Sequence, residues 1–358
     1  MKKLDIYITK KFLGTFFVAI LLIILIVIVF DISEKIGTFI DNEVPLKAII
    51  VDYYFNFLPY FVNVFSALFL FVAVIFFTSR MAQNTEFVAM LNAGISYYRI
   101  MMPYIICALF IGLINLSLAN FVIPNVNKTR VEFERVHLKK KIAYSDRDYH
   151  IQYDSTTFYY MESFDVRSHV GAKFSREIIK NNTLLEKITA ASIRYDSAGK
   201  VWILSDYVKR DLVDGGEEIE TMPVKKIDFP IRPEDFMLDY VSLDEMNFKE
   251  LNTFISQEKL RGSNRVKFYE YERNNRLTAP FASVILALIG LSLSSNKTRG
   301  GIGKNLSIGI ALAFIFILFL QFSKVFATVG SFPVWLAAWM PVIIYGFIAT
   351  YLIAKAPK

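Results

Sequence analysis

The chain has little of the chemistry that metal centres and covalent cross-links use. Its 358 residues include one cysteine and three histidines. The cysteine, Cys107, lies inside an apolar run, and a single thiol forms no disulfide within its own chain. The histidines are scattered through one polar region, without the close spacing of metal ligands. The sequence therefore predicts no metal site and implies no cofactor.

Patterns of catalytic residues are also missing. The sequence has no nucleophile–base set, and no paired carboxylates lie inside its apolar runs. The segment Gly300-Gly-Ile-Gly-Lys-Asn305 superficially resembles a nucleotide-binding loop. However, Thr298 stands where a P-loop needs its first glycine, and Asn305 replaces the Ser or Thr that follows the lysine. We expect a flexible turn there and predict that the chain is not an enzyme.

Apolar residues are what the chain has in abundance. Hydrophobic residues make up 54% of it, and the mean hydropathy is +0.40. A helix that crosses a bilayer needs about 20 apolar residues. Six runs reach or approach that length, three before and three after a polar insert, at about 11–30, 53–77, 100–123, 278–295, 303–323 and 334–354. We predict six transmembrane helices with a 3+3 layout. The first run is too long for a signal-peptide core and lacks a cleavage site, so we expect it to be retained.

The charges of the short connecting segments predict the orientation. Cytoplasmic loops are enriched in Lys and Arg. With the N-terminus inside, the inner segments are 1–11, 78–99, 296–304 and 355–358, and their basic residues far outnumber the acids Asp5 and Glu86. Both termini are then cytoplasmic and the insert lies outside. In such a protein a net charge of +7 indicates contact with anionic membrane lipid, not with nucleic acid.

The polar insert has the pattern of an all-β domain. Residues 156–161 are β-branched and aromatic, and residues 188–204 predict a hairpin whose turn is Asp196-Ser-Ala-Gly-Lys200. Short strands at this spacing favour a sandwich or jelly roll. An amphipathic helix is expected at about 243–261, with a capping box that begins at Ser242. The predicted domains are 1–127 with helices one to three, 128–265 with the β domain and its connecting helix, and 266–358 with helices four to six.

The segment between the second and third apolar runs predicts a cytoplasmic helix at about 82–96. Phe87, Met90 and Leu91 form one apolar face next to Glu86, and Gly94-Ile-Ser96 supplies a helix stop followed by a helix start. One interpretation is a surface helix that lies on lipid. The other is a coupling helix that docks in a groove of a cytoplasmic motor subunit, where Glu86 pairs with a basic residue.

Basic residues near the outer ends of the predicted helices are candidate ligands for anionic head groups. Lys324 ends the fifth apolar run, and Lys35 follows the first at the same level. Their simpler interpretations are an interfacial lysine that reaches towards water and a solvated loop charge. The basic stretch 128–141, which includes Lys128, Arg130 and Arg135, is either a solvated face or a phosphate-binding continuation of helix three.

Four segments together resemble one known family. They are Glu86-Phe-Val-Ala-Met-Leu-Asn-Ala-Gly-Ile-Ser96, Arg276-Leu-Thr-Ala-Pro-Phe281, the loop that begins Arg299-Gly-Gly-Ile-Gly, and Phe332-Pro-Val-Trp-Leu-Ala-Ala-Trp-Met-Pro341. In this order, and with a β insert between two helix triplets, they resemble the LptF/LptG lipopolysaccharide-export permeases. The resemblance covers essentially the whole chain. It leaves open whether the chain is the F or the G subunit.

The resemblance implies a multi-pass permease of the bacterial inner membrane. Such a subunit pairs with the other LptF/LptG-like subunit above two copies of an LptB-like ATPase. Its periplasmic jelly roll passes lipopolysaccharide to an LptC-like bridge protein. Glu86 matches the glutamate that the family presents to the ATPase, and Lys35 and Lys324 match basic cavity positions. Two other interpretations stay open: a permease for another lipid cargo such as lipoproteins, against which the layout argues, and a non-transporting membrane scaffold.

Overall fold

The structure is a computed structural model that describes residues 3–138, 147–165, 168–213, 216–233, 243–260, 262–263, 265–296, 301–330 and 332–356. Within these residues, six helical spans are long and apolar enough to cross a membrane. This confirms the predicted number and 3+3 order of the membrane helices. Spans one to four extend well beyond their apolar runs into polar sequence, so the length of an apolar run marks the crossing but not the ends of the helix.

The spans are built from the following helices. Span one is α1, Lys3–Asp41; span two is α2, Leu46–Ala48, which continues through a π-helical turn, Ile49–Tyr54, into α3, Phe55–Gln83. A short helix, α4, Glu86–Asn92, precedes span three, which is α5, Tyr97–Ser117, then a π-helical turn, Leu118–Val122, and α6, Ile123–His137. After the insert, which contains α7, Phe248–Leu260, spans four to six are α8, Val266–Ser294, α9, Gly301–Val329, and α10, Val334–Lys355.

Small residues let helices of the two triplets approach closely. A Cβ atom added at Gly112 of α5 would lie 2.6 Å from the Cα atom of Pro280 in α8. One added at Gly309 of α9 would lie 2.1 Å from the Cδ1 atom of Ile75 in α3. In lipid, where apolar burial does little to drive helices together, such close packing is a main source of stability. The two triplets are therefore packed against each other as one helical body.

Hydrogen bonds between helices reinforce this packing. The hydroxyls of Thr78 in α3 and Tyr104 in α5 lie 3.0 Å apart, and both side chains are buried. Across the triplets, Asn305 Nδ2 donates to Ser79 Oγ at 3.0 Å. A buried polar group without a partner would cost free energy, so these pairs also fix which helices are neighbours.

The insert contains the predicted β structure in addition to α7. In its described part, six strands form one antiparallel sheet in which each strand pairs with the next along the chain. The predicted hairpin is confirmed, because Asp196 pairs with Val201 and Tyr195 with Trp202. Trp202 is fully buried, and its indole N–H donates to the carbonyl of Ile231 at 2.8 Å. The strands are β1, Arg147–Gln152; β2, Thr157–Asp165; β3, Val170–Lys180; β4, Thr183–Asp196; β5, Val201–Val213; and β6, Gly216–Ile227.

The chain divides into two compact units. The membrane unit contains residues 1–140, 244–248 and 267–358, and the insert unit contains residues 141–243 and 249–266. The amphipathic helix α7 begins at Phe248, later than the sequence predicts, and Leu243–Glu245 form a single 3-10 turn. The predicted cap residue Ser242 lies outside the described residues. We call Asp244–Phe248 the connector, because it belongs to the membrane unit between two parts of the insert.

Candidate functional site

Two groups of charged residues lie at opposite ends of the membrane helices. We call the end where α1 begins and α10 ends the terminal end, and the end where α1 and α6 end and α8 begins the insert end. Because successive spans run in opposite directions, α4 lies at the terminal end. Lys35, Arg130 and Lys324 lie at the insert end.

Helix α4 is shorter than predicted because the backbone breaks on both sides of it. Thr85, between α3 and α4, has a left-handed conformation with φ of 60°. Gly94 has φ of 79° and its N–H bonds the carbonyl of Leu91 at 2.9 Å, which ends the helix. Ser96 then caps α5 by accepting the N–H of Arg99. The predicted stop at Gly94 and start at Ser96 are confirmed, whereas the helix between them is limited to Glu86–Asn92.

The apolar face of α4 packs on the chain itself. Phe87 is fully buried, and its ring meets that of Tyr97 edge-on with centroids 6.1 Å apart. Met90 and Leu91 are partly buried against the same core. Phe87 therefore anchors α4 and offers no surface to another protein in this arrangement. The outward side of the helix consists of Val88, Ala89 and Asn92.

Glu86 is held by hydrogen bonds at the edge of this core. Tyr7 Oη, from the first turns of α1, donates to Glu86 Oε2 at 2.7 Å, and Asn84 Nδ2 donates to Oε1 at 3.2 Å. Nearby, Arg99 and Asp5 form a salt bridge of 2.7 Å between α5 and α1. The start of α1 is thus fastened to the segment that contains α4, and the carboxylate of Glu86 has a fixed direction.

Lys35 lies inside a helix and not in a loop, because α1 continues to Asp41. Its Nζ atom lies 2.5 Å from Asp31 Oδ1 and donates to Tyr53 Oη. It also lies 4.7 Å from the centroid of the Tyr53 ring. Tyr54 Oη donates to the second oxygen of Asp31 at 3.0 Å. The interpretation as a solvated loop charge is therefore wrong: Lys35 is half-buried and neutralised by its own helix.

Lys324 likewise has a partner. Its Nζ atom lies 3.8 Å from Glu272 Oε2 of α8 and 4.3 Å from the centroid of the Phe268 ring.

Asp244 of the connector is part of the same electrostatic environment as Lys324, with Arg276 and Arg130. Burial raises the pKa of Asp244, while these three cations act to lower it. Lys324 thus belongs to a cluster shared by α8, α9, α6 and the connector, whereas Lys35 belongs to a cluster of α1 and the second span.

The three predicted basic residues of 128–141 do not share one face of α6. Arg130 points inward, with its guanidinium 5.7 Å from the Tyr60 ring centroid and its Nε atom 3.9 Å from Glu134.

Lys128 and Arg135 are exposed, and Arg135 pairs with Glu132 at 2.8 Å. The solvated-face interpretation fits those two residues. Lys139, Lys140 and Lys141 lie outside the described residues.

The acids in these clusters were not singled out by sequence reasoning. Three acids interact with the basic residues that the sequence did single out. Asp31 pairs with Lys35, Glu272 pairs with Lys324, and Asp244 interacts with Lys324 and Arg130. The pairing of Asp31 with Lys35 has an i,i+4 signal that could have been read, whereas Glu272 and Lys324 lie on different helices. Arg276 was noted as part of a motif, but its burial was not foreseen.

The comparison with known families covers almost the entire chain. The model of the family described as "Lipopolysaccharide export system permease LptF/LptG" matches residues 6–355. Among curated proteins, no match is found. The match includes all six spans and the β insert, so the chain is a multi-pass membrane protein that belongs to the LptF/LptG family of lipopolysaccharide export permeases.

Proposed function

We propose that this chain is one of two permease subunits of an ABC transporter that extracts lipopolysaccharide from the inner membrane. The observation that carries this proposal is the family match over residues 6–355. The subunit lies in the inner membrane with both termini in the cytoplasm and its β insert in the periplasm. Support for this orientation comes from the excess of Lys and Arg in the segments at the terminal end.

In this proposal the energy comes from a separate LptB-like ATPase that docks at α4. Glu86 would pair with a basic residue of that subunit, and the exposed Val88, Ala89 and Asn92 would line the contact. This docking surface would be held in place by Phe87, Met90 and Leu91, which anchor α4 to the core of the membrane unit. The small side chains on the exposed side of α4 would let a partner surface approach the helix closely, while Phe87 holds the helix in place.

The second permease subunit would cover the helices that are most exposed in the single chain. In α1 the large apolar side chains with more than half of their surface exposed include Phe17, Leu21 and Phe30. In α9 they include Phe314 and Phe322. A cavity for acyl chains needs apolar walls, and two such helices from each subunit would provide them around a shared space.

The lipid head group would bind at the insert end. A phosphate, like a carboxylate, accepts charge-assisted hydrogen bonds from Lys and Arg. We infer that it replaces Asp31 at Lys35 and Glu272 at Lys324, with Arg130, Lys128 and Arg135 as further cationic contacts. The cargo then passes along the β insert to an LptC-like bridge protein.

Purification from detergent would test the function directly. The tagged chain is isolated from cells, and its protein and lipid partners are identified by mass spectrometry. Co-purification of an ATPase, a second permease and a phosphorylated glycolipid supports the proposal. An ATPase with lipoprotein in place of glycolipid would identify a permease for another cargo. Neither an ATPase nor a glycolipid would indicate a non-transporting scaffold.

A further inference from the structure

Arg276 is a buried cation just before the apolar run of span four, which begins at about residue 278. It lies in α8 with 7% of its surface exposed. A buried guanidinium is costly unless its N–H groups find acceptors. One of its terminal nitrogens, Nη1, donates to the carbonyl of Met246 at 2.8 Å and approaches the carbonyl of Ala119 at 3.5 Å. One side chain of span four thus binds two separate segments of backbone.

The first of these segments belongs to span three. Ala119 lies in the π-helical turn Leu118–Val122, between α5 and α6. A π-helical turn interrupts the regular hydrogen-bond ladder of an α-helix and is frequent at functional sites. Arg276 approaches one of its carbonyls, and a few residues away Gly112 packs directly on Pro280. The contact therefore continues the tight packing between the two triplets.

The second segment is the connector. Met246 is buried. Along the chain, the connector is preceded and followed by residues of the insert unit. Asp244, two residues before Met246, interacts electrostatically with Arg276. The short connector is therefore tied to span four by a charged hydrogen bond, while its two ends continue covalently into the insert. A shift of span four would move the connector with it.

We propose that Arg276 is a positioning residue that locks the connector to spans three and four, so that rearrangement of the membrane helices is transmitted to the β insert. The inference rests on the proposed function, because transmission matters only if the helices move during transport. Arginine suits the position because its planar fork holds several acceptors in fixed directions. Lysine keeps the charge but not the fork, so Arg276→Lys separates the two properties.

The test uses the complete complex of this chain with its co-purified partners in proteoliposomes. Arg276→Gln and Arg276→Lys are compared with Lys267→Gln. Lys267 is a matched control, because it is a basic residue of α8 that also donates to a backbone carbonyl, that of Gly330, but is exposed. Three quantities are measured: the ATP hydrolysis rate, the glycolipid delivered to an acceptor per ATP, and amide hydrogen exchange in a peptide that spans the connector.

We expect Arg276→Gln to lower delivery per ATP by about tenfold, the size of effect that loss of one charged hydrogen bond produces. ATP hydrolysis should stay within about twofold, and hydrogen exchange in the connector should become faster. Arg276→Lys should lie between the wild type and Arg276→Gln, and Lys267→Gln should match the wild type. If Arg276→Gln does not assemble, the milder lysine variant decides the question.

Two results would overturn the inference. Faster connector exchange with unchanged delivery per ATP would show that Arg276 only stabilises the fold. Unchanged exchange would show that it does not hold the connector at all. A wild-type complex that delivers no glycolipid is a different failure: it removes the proposed function and the transmission with it, while the exchange data still report whether Arg276 fastens the connector.

Discussion

Spans one and four are both apolar helices, yet their surroundings in the chain are opposite. Within the apolar stretch of α1, 17% of the residues are buried in the chain, whereas within that of α8 the buried share is 61%. Hydropathy is higher in α1 than in α8, at 3.3 against 2.0. In this pair the more apolar helix is the one that the chain leaves uncovered, and the helix with more polar residues is the one that it surrounds. Lys35 and Lys324, on the exposed helices α1 and α9, are partly exposed, whereas Arg276 of α8 is buried.

The largest expected effect separates the two sides of α1 itself. Phe12 is fully buried and stacks on Phe77 and Tyr104, with ring centroids 5.7 and 6.0 Å away, whereas 62% of Phe17 is exposed. We expect Phe12→Ala to lower the free energy of unfolding by about 3 kcal/mol, because it removes packing contacts and leaves a cavity. Phe17→Ala should change it little. Thermal unfolding of the purified chain in detergent measures both, and equal losses would contradict the burial contrast.

A second pair of substitutions compares α1 with the centre of the bundle. In Gly112→Ala the new methyl group meets the backbone of Pro280, while at Gly14 of α1 nothing lies within 4 Å of the added atom. We expect Gly112→Ala to destabilise the chain by about 2 kcal/mol through overpacking. Gly14→Ala should stabilise the helix by about 0.5 kcal/mol, because alanine favours helix more than glycine. Opposite shifts of the unfolding temperature are the signature, and shifts of one sign would contradict it.

The exposed helices are expected to bind the cargo through their lysines. Lys35→Gln combined with Lys324→Gln should reduce photo-crosslinking of a phosphorylated glycolipid by about tenfold, because two charged contacts are lost. Lys47→Gln, an exposed residue at the same end, is the control. Thermal unfolding of each variant separates lost binding from lost folding. Unchanged crosslinking in a folded double variant would remove both lysines from the binding site.

A smaller effect is expected where α1 meets α4. Glu86→Ala should weaken association with the ATPase by several-fold, because one charged contact at the edge of an interface is lost. Tyr7→Phe removes the internal bond to Glu86 but leaves the carboxylate, so association should stay close to that of the wild type. Titration of the purified permease with the ATPase measures both. If Tyr7→Phe were as damaging as Glu86→Ala, the role of Glu86 would be to hold α1.

Patterns along the chain were sufficient for the architecture. Six apolar runs predicted the six spans, and the turn at residues 196–200 predicted the pairing of β4 with β5. Gly94 and Ser96 marked a helix boundary because each acts through its own backbone or its nearest neighbours. Such signals are local, so a sequence carries them in readable form.

The environment of the candidate site could not be read in the same way. The periodicity of Phe87, Met90 and Leu91 indicates an apolar face, but not whether that face meets another protein or the chain's own helices. The end of an apolar run does not end a helix, so Lys35 was assigned to a loop although α1 continues past it. The pairing of Lys324 with Glu272 depends on the contact of two helices far apart in sequence. These features depend on tertiary packing, which outweighs local pattern.

Phe87 is the one fully buried side chain of α4, and Met90 and Leu91 pack less deeply on the same core. Left-handed residues on both sides, Thr85 and Gly94, uncouple the direction of α4 from the helices before and after it. A force on its exposed side would reach the core through Phe87, which contacts the Tyr97 ring, and also through Met90 and Leu91. The hydroxyl of Tyr97 lies 3.1 Å from that of Ser292 in α8. Two side-chain contacts, Phe87 with Tyr97 and Tyr97 with Ser292, therefore connect α4 to α8, the helix that carries Arg276.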